Sequence, residues 1–366
     1  MPVNNKLVIA WLNSEKSIGS RTVEKLIEHF GSAENIWNNL NEERKNISYI
    51  KDYSIDRLIS KKSNFEEKLL CELAKENVEI TTILDDDYPN NLKNITNPPC
   101  ILYLKGDRDC LNNLSVGIVG SRKATDYGKL CSDKFAGELS ALGITIISGL
   151  ASGIDTIAHK SAIRAKGTTI GVIGCGINIV YPQKNRELYK EIENTGCAVI
   201  TEYPFDMEPM ASNFPSRNRI ISGLSLGILV IEAQEKSGTL ITAGHAADQG
   251  REVFAVPGNI NSVFSAGTNK LIKDGAKPVM HVDDILEEIY ELRNLKERSV
   301  KKEKNYNSLN KTEQDIVKLI AEGEKSFDEI SGVINCPVSE ILSSLTVLEM
   351  KSIIIQTGGK KFVLAN

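Results

Sequence analysis

Between Ser115 and about Val282 short apolar runs alternate with stretches of helical spacing, and this alternation limits the chain to few architectures. The runs fall at residues 116–119, 144–147, 169–173, 198–200, 226–231 and 253–256. Near-continuous apolar strands separated by helix-length segments imply βαβ units and a mostly parallel sheet covered on both faces. The expected fold class is therefore α/β, with a Rossmann-like domain at its centre. Sheets of this kind take their ligands at the carboxyl edge.

The flanks read differently, and four parts are expected: 1–80, 81–294, 295–310 and 311–366. In the first, Val23, Leu26, Ile27 and Phe30, and again Phe65, Leu69, Leu70 and Leu73, recur three and four apart, which marks a small helical domain of SAM or helix-hairpin-helix type. Ser17-Ile18-Gly19-Ser20-Arg21-Thr22 ahead of the earlier helix has two readings. A glycine turn can hold a phosphate on bare N–H groups. Equally, Ser20 or Thr22 as N-cap and Gly31 at C′ account for the residues without a ligand. Asp85-Asp86-Asp87-Tyr88-Pro89 and Asn97-Pro98-Pro99 are turns around a strand at 101–104. The charged run from Lys296 to Lys304 reads as a solvated linker. After it, helices at 312–321, 327–333 and 338–350, then strands at 353–356 and 361–364 around Thr357-Gly358-Gly359-Lys360, follow the order of a winged helix. The third helix carries only Glu340, Glu349 and Lys351 as charges, a poor match to a basic recognition helix. DNA contact and protein contact both stay open for this part.

Composition narrows the chemistry. With a formal net charge of −4 the chain has no general basic coat, so any nucleic acid must meet local positive charge. The seven cysteines are scattered without C-x-x-C spacing, which points to buried free thiols rather than disulfides or zinc. His29, His159, His245 and His281 show no ligand spacing, and no metal or cofactor is expected. The chain lacks a membrane-length apolar run and its start lacks the layout of a secretory signal, so a cytoplasmic protein is expected.

Phosphate-gripping chemistry gathers at the strand ends. Gly117-Ile118-Val119-Gly120-Ser121-Arg122 closes the first central strand at a helix start, where small residues, N–H groups and Arg122 favour an anion. A dinucleotide site would need G-x-G-x-x-G here and an acidic residue at the end of the next strand; neither is present. Four further loops fall at the same edge: Gly149-Leu150-Ala151-Ser152-Gly153-Ile154-Asp155, Tyr181-Pro182-Gln183-Lys184-Asn185, Asn213-Phe214-Pro215-Ser216-Arg217-Asn218-Arg219 and Ser237-Gly238-Thr239. Arg217 and Arg219 are read as lying just before an apolar helix, and Ser237-Gly238-Thr239 as presenting bare N–H groups. So many donors suit a chain of phosphates, and Phe214 offers a face for a base, the combination that holds single strands. Either Arg217 or Arg219 could instead cap Asp155 or Glu202 and tie loops together.

Together these loops resemble the DNA-processing protein A family, also called Smf. The resemblance rests on Gly117 to Arg122; Ser148 to Asp155 with Ala158-His159; Tyr181-Pro182 with Asn185; Thr201-Glu202-Tyr203-Pro204; Phe214 to Ser225; Ser237 to Ala243; and Val256-Pro257-Gly258. It implies a protein that binds single-stranded DNA, helps load the RecA recombinase during natural transformation, and performs no catalysis. Read with the loops, the expected DNA contacts are Gly120, Ser121, Arg122, Gly149, Gly153, Lys184, Asn185, Phe214, Arg217, Asn218, Arg219, Ser237, Gly238 and Thr239. A homodimer is also implied, through Val263, Leu271 and Ile272. Family members often carry a basic residue shortly before the Phe-Pro step, where this chain has Met210-Ala211-Ser212-Asn213. Two rivals use the same sheet edge. Nucleotide phosphoribohydrolases carry P-G-G-x-G-T-x-x-E, but aligning G-T on Gly238-Thr239 puts Thr242 at the glutamate, removing the catalytic carboxylate. A sensor would fill the groove with a mononucleotide.

Overall fold

The computed structural model describes residues 4–293, 295, 309–321, 323–334, 336–351, 353–357 and 361–364. The chain divides into two compact units, Met1–Lys296 and Glu297–Asn366. Of the expected linker, all but Leu295, Leu309 and Asn310 lies outside the described residues.

The first unit begins with helices α1 (Asn5–Asn13), α2 (Ser20–Phe30), α3 (Ala33–Asn39) and α4 (Asp52–Glu76). Trp11 is fully buried among them and donates its indole N–H to the carbonyl of Leu58 at 2.9 Å. Gly31, at φ 76°, ends α2 as expected. The start of α2 departs from the expected cap. Gly19 is the N-cap and no side chain caps it. The Ser20 hydroxyl is engaged elsewhere, accepting from the Cys100 N–H at 3.1 Å.

Strands β1 (Glu79–Thr82), β2 (Ile101–Gly106), β3 (Ser115–Val119), β4 (Thr145–Ser148), β5 (Thr169–Val172), β6 (Ala198–Thr201), β7 (Gly227–Val230), β8 (Glu252–Ala255) and β9 (Lys277–Pro278) build one sheet, ordered β1-β2-β6-β5-β4-β3-β7-β8-β9. From β6 to β9 every pairing is parallel; β2 runs antiparallel to β6, and β1 antiparallel to β2. The six expected central strands are all present, each boundary within one residue. They were legible because β3 to β7 are buried along their whole length, and a strand covered on both faces carries apolar residues at consecutive positions instead of at every second one.

The helices that follow the strands are α5 (Asn90–Lys93), α6 (Asp126–Ala141), α7 (Ile154–Arg164), α8 (Arg186–Asn194), α9 (Asn213–Leu224), α10 (Gly238–Asp248), α11 (Ala266–Lys273) and α12 (Asp283–Glu288). Alternate strand residues feed two cores. Val116, Ile118, Leu229 and Ile231 pack with Phe135 and Leu139 of α6 and Ile154 and Ala158 of α7. Val119, Ile228 and Val230 pack with Ile220, Ile221 and Leu224 of α9 and Ala243 of α10. A third core joins α1 to α4 with Ile101, Tyr103, Tyr189 and Val199 at the β2-β6 side of the sheet.

The second unit, taken by itself, holds helices Lys311–Ala321, Phe327–Val333 and Val338–Met350 and a small antiparallel sheet of β10 (Lys325–Ser326), β11 (Ile354–Thr357) and β12 (Lys361–Leu364) in the order β10-β12-β11. Ile316, Ile330, Ile341, Leu348 and Phe362 close its core. The expected turn at Gly358-Gly359-Lys360 lies outside the described residues. Among the described residues the cysteines are free: Cys100, Cys110, Cys175 and Cys197 are buried, whereas Cys71 is exposed on α4, contrary to the expectation of burial. No described helix is long and apolar enough to cross a membrane.

Candidate nucleic-acid interface

At β3 the chain changes direction: β4, β5 and β6 are added on one side, β7, β8 and β9 on the other. Loops leaving β3 and β7 therefore part, and a crevice opens at their carboxyl ends, as open α/β sheets require. Here it is a cleft of about 770 Å³. Gly120, Ser121, Arg122, Phe214, Arg217, Asn218, Ser237, Gly238 and Thr239 all line it. The two walls are tied, because the Thr239 hydroxyl donates to the Gly120 carbonyl at 3.2 Å. One expectation changes at this wall. The N–H of Thr239 is not bare, for the Ser237 hydroxyl accepts it at 3.2 Å as the cap of α10.

The rim is cationic and aromatic. Arg122 is exposed, and its guanidinium carbon lies 5.5 Å from the centroid of the Phe214 ring. The Tyr181 ring stands 5.4 Å from Phe214, tilted by 31°, and is itself 41% exposed. Phe214 sits in the first turn of α9, a turn that accepts Pro215 because helix-start N–H groups need no intrahelical acceptor. Lys123 and Lys236 also line the cleft and are exposed. Sequence reasoning missed these two lysines and did not place Tyr181 among the contacts. The signal was adjacency: each lysine abuts a loop already singled out.

The floor is buried. Arg217 is 4% exposed; its Nη1 donates to the Gly149 carbonyl at 2.9 Å and its Nε to Asn218 Oδ1 at 3.2 Å. It faces Asp155, whose Oδ2 accepts the Gly149 N–H at 3.1 Å. A Cβ on Gly149 would come within 2.7 Å of Arg217 Nη2 and 2.8 Å of Asp155 Oδ2, so a side chain there would have to displace both heads. Burial pushes the Asp155 carboxyl up and the Arg217 guanidinium down, while each charge opposes the shift of the other. One turn along α7, burial pushes His159 down to about 3, with its Nδ1 2.6 Å from the Thr169 hydroxyl. Thr242, buried on α10, lines the cleft.

Four expected contacts stand off the main cleft lining, besides Gly149, which borders an adjoining cavity of about 50 Å³ with Arg122, Phe214 and Arg217. Gly153, at φ 84°, brings its backbone so near the neighbouring loop that a Cβ would lie 2.3 Å from the Ser121 carbonyl oxygen. Lys184 is exposed on the short turn Gln183–Asn185. Asn185 is buried and donates to the Leu150 carbonyl at 2.8 Å. Arg219 is 9% exposed and bound by both Nη atoms to Glu202 at 2.7 Å. Arg217 and Arg219 thus lie inside α9, not before a helix, and on a 3.6-residue turn they diverge by roughly 200°. The alternative in which Glu202 claims an arginine is the one realised at Arg219. Away from the cleft, Val263 is 65% exposed, whereas Leu271 and Ile272 on α11 are half-buried and Leu271 packs on the core of its own chain.

Comparison with known proteins places this geometry. The family model described as DNA recombination-mediator protein A matches residues 79–290. DNA processing protein DprA of Bacillus subtilis (strain 168) is 43% identical over 225 residues, 61% of this chain and 75% of that protein. Among solved structures, DNA processing protein A of Streptococcus pneumoniae aligns with a TM-score of 0.62 at 33% identity, covering 79% of this chain and 99% of that one. A structure of DNA processing protein A of Helicobacter pylori, described for its single-stranded DNA binding mode, aligns with a TM-score of 0.52 at 31% identity, covering 57% of this chain and 95% of that one.

Proposed function

We propose a function from one premise: this chain belongs to the DNA recombination-mediator protein A family. On this reading the cleft binds single-stranded DNA and holds it without cutting it. The observation that carries the reading is the rim, where Arg122, Lys123 and Lys236 stand around the Phe214-Tyr181 pair. Cations that track a backbone beside aromatic faces that accept any base suit a flexible single strand and discriminate poorly among sequences. A rigid duplex hides its base faces. Arg217 sits beneath, and Asn218 and Ser237 to Thr239 add polar contacts. Lys184 extends the track beyond the cleft.

The bound strand is passed to the RecA recombinase, protecting incoming DNA during natural transformation, and the protein acts in the cytoplasm as a homodimer. Val263, which is exposed, and Leu271 and Ile272, which are half-buried, are the apolar contacts of that dimer. No bond is made or broken in the cleft: Asp155 is occupied by Gly149 and opposed by Arg217, and Thr242 has no acid to offer.

Fluorescence anisotropy tests the reading with a labelled oligothymidylate and a duplex of equal length, each at low and moderate salt. The single strand binds more tightly, its affinity falls as salt rises, and Arg122→Ala weakens it with a shallower salt dependence. Preference for duplex, or an Arg122→Ala variant that binds as the wild type does, overturns the proposal. Light scattering on the same samples checks the dimer.

A further inference from the structure

Glu202 and Arg219 form a two-bond fork at 2.7 Å, with side chains 14% and 11% exposed, and neither lines the cleft. Their surroundings connect distant parts of the first unit. Glu202 directly follows β6, and its backbone carbonyl accepts from Asn13 Nδ2 at 3.2 Å. Asn13 is the last residue of α1, and its Oδ1 accepts from the Tyr103 hydroxyl of β2 at 3.3 Å. On the other side, the Arg219 carbonyl accepts from Gln249 Nε2 at 3.1 Å, just past α10. Arg219 is the next residue after Asn218 on the helix that also carries Phe214 and Arg217.

A bidentate guanidinium–carboxylate pair fixes direction as well as distance. A helix is rigid over three turns, so holding one side chain in one direction sets the azimuth of all the others. We propose that Glu202 is a positioning residue for the DNA cleft: by locking Arg219 it sets the rotation of α9 that turns Phe214 and Asn218 to the rim, and Asn13 couples the N-terminal helices to that lock. The assignment rests on the single-stranded DNA reading. It differs from the sequence expectation in that Arg219 neutralises no phosphate. It also gives α1 a task in binding although α1 lies outside the matched family region.

The two roles for Arg219 predict opposite signs. As a positioning pair, Glu202→Gln and Arg219→Gln each weaken oligothymidylate binding on the order of tenfold. The slope of log affinity against log salt stays that of the wild type, and the double variant is no worse than either single one. Arg219→Lys, which keeps the charge but loses the fork, weakens binding as Gln does. As a phosphate contact, Arg219→Gln flattens the slope by about 0.7, Arg219→Lys is tolerated, and Glu202→Gln tightens binding by freeing the arginine. Any of these three results overturns the assignment. Circular dichroism and thermal melting check that each variant folds. If Glu202→Gln does not, Glu202→Asp replaces it, keeping the charge while drawing the carboxylate back by one methylene, with the same pattern expected. Asn13→Ala leaves the pair intact and is expected to cost a smaller, few-fold loss at unchanged slope; wild-type affinity in that variant refutes the link to the N-terminal helices. Arg122→Ala in the same titration separates the levels. If it binds as wild type, the single-stranded DNA reading itself fails; if it is weak while the Glu202 variants are unaffected, only the positioning role does.

Discussion

Arg122 and Arg217 border the same cleft in opposite settings. Arg122 is exposed at the rim, resting beside Phe214. Arg217 is buried in the floor, its guanidinium bound to the Gly149 carbonyl and facing a buried carboxylate. A rim cation costs the fold little and is free to exchange solvent for a phosphate. A floor cation is part of the core, because removing it takes away the charge that opposes the burial of Asp155. The lesson is that loops with one kind of residue can divide into a binding surface and a scaffold, and that burial decides which is which.

The sharpest way to break the comparison is Arg217→Ala. It is expected to lower folding stability by about 3 kcal/mol, read by chemical denaturation, because the buried Asp155 carboxyl loses the nearby charge that opposes its burial and the Gly149 carbonyl loses its donor. A variant as stable as the wild type would put Arg217 on the rim side of the division. Phe214→Ala tests the rim: single-strand affinity drops by about 1–3 kcal/mol per base no longer stacked, while the melting temperature barely moves. A large loss of stability in that variant would make Phe214 a core residue instead.

Acid sharpens the floor further. With its folded pKa at about 3, below the ordinary 6.5, His159 refuses a proton that the unfolded chain accepts. The stability this gives is complete above the ordinary value and is lost as pH falls toward the folded one. Between roughly pH 7.5 and roughly pH 5.5 the wild type should lose about 1 kcal/mol more than His159→Gln. Asp155 is present in both proteins, so its own shift cancels in the difference. Parallel pH profiles would remove His159 from the floor's electrostatics. The smallest expected effect is at the rim: Lys236→Ala lowers the salt slope of single-strand binding by about 0.7, with stability unchanged. An unaltered slope would leave Lys236 outside the phosphate track.

The central sheet was readable because β3 to β7, buried on both faces, run apolar over consecutive residues, and the helices of the second unit because their apolar residues keep one face. By contrast β9, two residues long, has no period to detect, and β1, with a single isoleucine among Glu79, Thr81 and Thr82, carries little apolar signal. At the site, the sequence named loops that the fold brings to one sheet edge. It did not tell rim from floor. Pro215 hid the true start of α9, since proline is tolerated in a first helical turn as well as before one, and without that start the divergence of Arg217 from Arg219 could not be drawn. Lys123 and Lys236 escaped because an isolated surface lysine has no local pattern; only the crossover at β3 brings them to one opening.

The Thr239–Gly120 tie joins loops from β3 and β7, which are hydrogen-bonded neighbours in the sheet. Their separation is therefore set by the ladder before any guest arrives. A polymer laid across them must adopt the protein's spacing, so the loss of conformational freedom on association falls on the guest and hardly at all on the host. Such a host favours limp guests, whose bending is nearly free, over stiff ones that would have to be deformed to fit.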